Sequence, residues 1–276
     1  MDAAEDTAAR SVIASQGAGG CCRGRHSARL ADEVNEANFR SDTIQLVDVH
    51  PVPGLEHLPF AEVWFHAIDD DAWRAASEAA RAIGKTGLEV WTTTRSPEVA
   101  QWLEERGYDE VRRYAISELD VAAAPDPGPP SFEVVTLADR PDLEDELHEL
   151  ARIAYADQPG RAETRIEGWL HWGLHAHRPD AYFIALEGGG LVGYGYLQLE
   201  GETWSNGFMA VTRAARGRGV AGALKRAQLR WAKEQGIATL RTATEVRLTS
   251  MLDLNCRFGY VPLYEEIVLR GPLAAD

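Results

Sequence analysis

The sequence predicts an α/β protein built on mixed sheet, in two units, the second running β-α-α-β-β-β-α-β-α-β. Three observations carry this expectation. From residue 131 onward, apolar residues switch between a period of two and a period of 3.6, the marks of strand and helix in turn. The run "AAAPDPGPPS" holds four prolines in ten residues. Proline fixes φ and lacks an amide proton, so residues 122–130 read as an extended linker. The segment around Trp73 also recurs further on: Gly84 stands 152 residues before Gly236, and Gly107-Tyr108 stands 152 before Gly259-Tyr260.

In order along the chain, residues 1–42 are small, polar and charged, a tail with little to bury and one candidate helix over 30–39. The unit 43–121 contains the first copy of the repeat. Asp69, Asp70 and Asp71 suit a helix N-terminus, Gly84 closes that helix, and a strand, a short helix, Gly-Tyr and a second strand follow. The unit 131–276 opens with the strand "SFEVVTL" and a helix over 139–156 with Asp139 as its cap. A second helix, "ETRIEGWLHWGLHAH", precedes two strands folded about Gly188–Gly190 and a further strand ending at Val211. The amphipathic helix "VAGALKRAQLRWAKEQG" is closed by Gly236. A strand, the helix "TSMLDLNCRFG" and the strand "YVPLYEEIVL" complete the order.

Composition narrows the function. A formal net charge of -15 over 276 residues argues against nucleic acid or an anionic membrane surface as partner. Hydrophobic content of 45% supplies a buried core. No apolar run spans a bilayer, and the first 30 residues lack the continuous apolar stretch of a signal peptide. Cys21, Cys22 and Cys256 have no zinc spacing and make a poor disulfide framework, so reduced thiols and a cytoplasmic location are expected. His171 and His175 have the i, i+4 spacing of helical metal ligands, but Trp172 stands where a metalloprotease has its glutamate, and no metal is expected.

The informative stretch is "TRAARGRGVAGALK", 212–225. Three arginines and three glycines gather between a strand and a helix in an acidic chain. Such a loop aims free backbone N–H groups and the positive end of the helix dipole at one point. Gly217 and Gly219 let a ligand approach the backbone, and Arg216 and Arg218 neutralise charge at the mouth. A small anionic group fits such a place. In the first copy of the repeat the same position carries three aspartates, so an anion would bind only the second copy.

Arg216 to Ala221 resembles the Arg/Gln-x-x-Gly-x-Gly/Ala signature of the GNAT superfamily of N-acetyltransferases, and the segment from about 131 to 272, with its "RFGY" turn, is similar to that fold in element order. The N-terminal repeat resembles the last half of a second, degenerate GNAT module, as in tandem members such as mycothiol synthase. The resemblance implies acetyl-CoA, or another acyl-CoA, as co-substrate. Its diphosphate would rest on Arg216, Gly217, Arg218, Gly219, Val220 and Ala221. Its pantetheine arm would pair along Met209, Ala210 and Val211, where a backbone N–H polarises the acyl carbonyl, and a primary amine of a small molecule would attack. Many members place a glutamate on the preceding strand as base; Glu202 is the candidate, with Ser205 or Asn206 ordering a water as the alternative. Where many members carry a tyrosine acid this chain has Asn255, and Thr244 and Leu248 replace asparagines. Cys256 reads as a buried structural thiol, and Trp169, Trp172 and His175 as the border of the acceptor pocket or as an apolar helix face. The competing expectation is an acyl-CoA-binding sensor or scaffold with weak catalysis. Oligomeric state is not legible.

Overall fold

Among the described residues one twisted sheet of ten strands organises the protein, and strands from both sides of the proline-rich stretch are interleaved within it. The structure is a computed structural model and describes residues 49–51, 57–65, 67–126, 128–157 and 178–275. The elements are β1 (His50–Pro51), β2 (Phe60–Trp64), α1 (Asp70–Ala82), β3 (Gly87–Thr93), α2 (Pro97–Glu104), β4 (Asp109–Asp120), β5 (Glu133–Thr136), α3 (Glu144–Ala156), β6 (Tyr182–Glu187), β7 (Gly190–Glu200), β8 (Thr203–Val211), α4 (Val220–Glu234), β9 (Thr239–Glu245), α5 (Thr249–Arg257) and β10 (Val261–Pro272). The expected tail, the second helix of the C-terminal unit and residues Trp169, His171, Trp172 and His175 lie outside the described residues.

The sheet order is β1-β2-β3-β10-β4-β9-β8-β7-β6-β5. The last strand of the chain, β10, therefore lies between β3 and β4, and β4 lies between β10 and β9. The exchange is symmetric. Tyr114 of β4 faces Glu266 of β10, and these two residues are themselves 152 apart. Tyr114 also pairs with Glu245 on β9, while Glu266 pairs with Thr93 on β3; Thr93 and Glu245 again differ by 152. Each half gives its final strand to the other about a local two-fold axis through Tyr114 and Glu266. The neighbouring ion pair Arg113–Glu265, at 2.7 Å, spans the same interval.

Packing follows from the alternation along the strands. α1 and α2 bury Ala76, Ala80, Val99 and Leu103 against Leu88, Val90, Ile267 and Leu269. α4 buries Val220, Leu224 and Leu229 with Leu119, Leu197 and Leu240. α3 covers the opposite face of the same strands, packing Leu147, Leu150 and Ala151 on Tyr182, Ile184, Tyr194 and Tyr196. Fully buried Glu89 on β3 binds Arg112 of β4 and, at 2.7 Å, Arg270 of β10, a charged seam across the exchanged strands.

One local expectation is corrected. Asp139 does not cap α3, which begins at Glu144 after a 3₁₀ turn and has no side-chain cap. Its carboxylate instead accepts from the Thr136 amide (3.1 Å) and hydroxyl (2.7 Å), because Pro141 starts a tight turn before the helix and carries the backbone away from Asp139. The proline-rich stretch packs against the fold: Ala124 is buried, and Lys233 and Arg230 of α4 donate to the carbonyls of Ala124 (3.1 Å) and Gly128 (2.8 Å).

Candidate active site

The site begins with a parting of two strands. β8 and β9 run parallel and pair at three positions, Trp204 with Leu240, Ser205 with Arg241 and Asn206 with Thr242. Beyond Asn206, β8 keeps its bonds to β7 while β9 leaves, so residues 207–211 present a free strand edge. A bulge lies at the fork: Gly207 and Phe208 together oppose Tyr196. Glycine is required there, since a Cβ on residue 207 would sit 2.0 Å from the Tyr196 ring. The opening is a cavity of about 470 Å³ lined among others by Met209, Lys225, Thr244, Leu248, Glu200 and Glu266.

The N-terminal half has the same strands without the opening. β2 pairs with β3 through five positions up to Trp64–Trp91, and the Phe65 amide adds a bond to the Trp91 carbonyl at 3.0 Å. Helix α1 then starts at Asp70, and the described residues between it and β2 form no strand arm to flare outward. Asp69 caps it by accepting from the Ala72 amide at 2.8 Å, which fills the place an anion would need.

Above the fork stands the loop 212–219. Gly217 and Gly219 have φ of 75° and 92°, a region that side chains with a Cβ rarely enter. Gly219 is the first residue of the helix cap and carries no capping side chain. The first-turn amides of α4 therefore face outward without an intrahelical acceptor. The arginines of the loop are paired with carboxylates. Arg213 and Arg216 both bind Asp157, Arg216 at 2.6 Å, and Arg218 binds Glu187 at 3.0 Å. Sequence could not show this, because both carboxylates come from distant elements. The two guanidinium groups hold the Asp157 carboxyl well below the ordinary carboxylate range. A second cavity of about 370 Å³ opens beside Gly219, Gly222, Arg226 and Arg257.

The expected catalytic residues separate. Ser205 is buried at the fork and donates to Glu200 at 2.9 Å. Glu202 lies in the exposed turn between β7 and β8 and is not among the cavity residues; Glu200, two positions earlier, is. The two-residue turn at 201–202 carries Glu202 off the strand. Asn255 is buried behind the wall, donating to Thr244 at 3.0 Å rather than reaching the cavity. Cys256, expected as a buried thiol, is half-buried and disulfide-bonded. The other two cysteines lie outside the described residues.

Two residues carry no catalytic expectation from the sequence. Lys225 of α4 is 4% exposed and donates to Asn206 Oδ1 at 2.6 Å, with its ammonium 4.7 Å from the Tyr260 ring. Burial lowers its pKa to about 7. Glu266 reaches the cavity from β10, where burial and then the Glu200 charge raise its carboxyl to about 7. Lys225 belongs to the helix on one face of the sheet. Glu200 shares the strand face of Tyr194 and Tyr196, which pack on α3, the other side. The cavity thus passes through the sheet at the fork. Among the described residues no group of His, Cys, Asp and Glu could hold a metal, and no helix is long and apolar enough to cross a membrane.

The sheet forks beneath a helix start with bare amides. Residues 142–260 match the model of the acetyltransferase (GNAT) family. That part of the chain is a GNAT acetyltransferase domain, and the mixed sheet is the GNAT fold. Among solved structures the chain is similar to a GCN5-related N-acetyltransferase from Sphaerobacter thermophilus, at 18% identity and a TM-score of 0.64 over 83% of this chain and 77% of that one. It is also similar to a tandem GNAT protein from the clavulanic acid biosynthesis pathway, at 17% identity and a TM-score of 0.60 over 79% and 77%. A GCN5-related N-acetyltransferase from Kribbella flavida follows at 17% and 0.53, over 82% and 84%. At such identities the likeness is one of fold. No curated protein matches the chain.

Proposed function

We propose that the protein is an N-acetyltransferase that moves an acetyl group from acetyl-CoA to a primary amine of a small molecule. The observation that carries this reading is the fork between β8 and β9 placed under the bare amides of Gly219 to Ala221. The diphosphate rests on the loop from Arg216 to Ala221, with Arg213, Arg216 and Arg218 exchanging their carboxylate partners for phosphate. The second cavity, with Arg226 and Arg257, takes the nucleotide end. The pantetheine arm runs along the free edge of 207–211 as an added strand, and a backbone N–H of Met209 or Ala210 polarises the carbonyl. The amine enters from the opposite side of the sheet, and Glu266 takes its proton, a role that suits a carboxyl titrating near neutrality. Glu200 keeps that side negative and holds Ser205 in place. The unit 43–121 is read as a degenerate half of the same fold whose cleft has closed, joined through 122–130 to the catalytic unit 131–276.

Substituting Gly219→Val tests the reading. At φ of 92° a β-branched residue is strained, and its methyls cover the amides. CoA binding, measured by calorimetry, should weaken at least about 100-fold, or about 2.8 kcal/mol. An unchanged affinity refutes the loop assignment. Asn255 is not among the cavity residues, and the place expected for a tyrosine acid is thus unfilled, which favours a weakly catalytic acyl-CoA sensor as second reading. Thermal stabilisation by CoA with no thiol released from acetyl-CoA across a panel of primary amines would establish it.

A further inference from the structure

A lysine ammonium buried without a carboxylate partner is costly. Lys225 carries that cost at the floor of the fork, and the mechanism above does not use it. Its Nζ is held by Asn206, the last residue of β8 paired to β9. The Asn206 amide is itself fixed by donating to the Tyr260 hydroxyl at 2.9 Å. Asn206 and Lys225 both line the cavity, so the ammonium has one wall made of partners and one made of open space. Two features define where that space lies in the reaction. The helix that carries Lys225 begins at the proposed diphosphate loop, so this is the side from which the acyl donor arrives. The carboxylates Glu200 and Glu266 lie on the acceptor side.

Resting on the transferase reading, we propose that Lys225 is the acid of the reaction, passing a proton to the sulfur as the thioester breaks. The amine nitrogen bonds to the acyl carbon, the carbon–sulfur bond opens, and its electron pair stays on sulfur. A proton on Lys225 Nζ moves to that sulfur and gives the free thiol. The proton shed by the nitrogen goes to Glu266. Solvent then returns a proton to Lys225 and removes one from Glu266, and the site is reset. Asn206 is the positioning residue that keeps the ammonium aimed along the fork. An apolar residue at 225 would satisfy the fold better, and a lysine more exposed would stay charged too firmly to give up its proton. The lowering of Lys225 by burial agrees with the role.

The titratable and charged groups around this cavity are Glu200, Glu245 and Glu266, Tyr114, Tyr155, Tyr196, Tyr260 and Tyr264, and Arg241. Tyr196 is pushed to about 12 and Tyr260 is also raised, so neither loses a proton near neutrality. Loss of the Lys225 proton predicts an alkaline limb in the pH profile of kcat, with its midpoint near neutrality.

The experiment follows thiol release from acetyl-CoA with hydroxylamine as acceptor, a nucleophile that stays neutral across the alkaline range, in wild type and in Lys225→Met. Lys225→Gln is the second variant should methionine disturb the helix. The expected result is a fall in kcat of about 100-fold, an acetyl-CoA dissociation constant within about threefold of wild type, and no alkaline limb. A variant that retains the wild-type rate or the wild-type limb overturns the assignment of Lys225 and leaves the transferase reading intact. A wild-type protein that binds CoA and releases no thiol removes both.

Discussion

At the scale of single residues, Glu266 and Lys225 each make a prediction. Glu266 has a folded pKa raised from the ordinary carboxylate value to about 7, first by burial and then by Glu200. Between those two values the native state binds more protons than the unfolded chain, so Glu266 costs stability increasingly as pH rises through that window. Glu266→Gln should therefore raise the melting temperature at pH 8 and leave it little changed at pH 4. It should also lower kcat by about 100-fold at neutral pH if Glu266 takes the amine proton. Melts at the two pH values and thiol-release kinetics check the two halves separately. Lys225 works in the opposite sense. Its folded pKa is depressed, so its stability cost is complete below about pH 7 and is relieved toward the unfolded value near 10.5. Neither residue stood out in the sequence. Lys225 reads as one polar position of a helix, and Glu266 as half of a Glu-Glu pair in a strand, because what distinguishes them is the cavity they meet, and strands far apart in sequence build it.

At the scale of elements, the local patterns were legible and the partners were not. Gly84, Gly107, Gly236 and Gly259 all take positive φ where the repeat places them, and the helices and strands between follow the expected order. The glycine-arginine loop sits at the start of α4 because Gly219 in the left-handed region turns β8 into the helix. What the pattern lacks is the charge network. Asp157 at the end of α3 and Glu187 of β6 reach the loop only once the sheet has formed. The Asp139 cap failed for a local reason, since Pro141 inserts a 3₁₀ turn between cap and helix. The seam of Glu89, Arg112 and Arg270 is another product of assembly. Removing one cation leaves a buried carboxylate half-compensated, so Arg112→Met should cost about 3 kcal/mol in urea denaturation, more than a surface ion pair could.

At the scale of the whole molecule, the repeat was legible as self-similarity, yet its consequence was not. The sequence suggests two units joined by a linker. In the structure the final strands β4 and β10 are traded, and the proline-rich stretch is packed against α4. Neither unit then closes its own sheet. Residues 131–276 produced alone should fail to fold, as β9 would lose β4 and β10 would lose both neighbours. Co-production with residues 43–121 should restore a soluble pair, observed by gel filtration and circular dichroism. A soluble, cooperative fragment 131–276 would contradict the exchange. The trade also reaches the cavity: Tyr114 comes from one half and Glu266 from the other, facing each other on the local two-fold axis. The N-terminal half is consequently bound to the C-terminal half as part of the cavity wall. Deleting residues 43–121 would tear away one side of that chamber, so neither half can be discarded without breaching it.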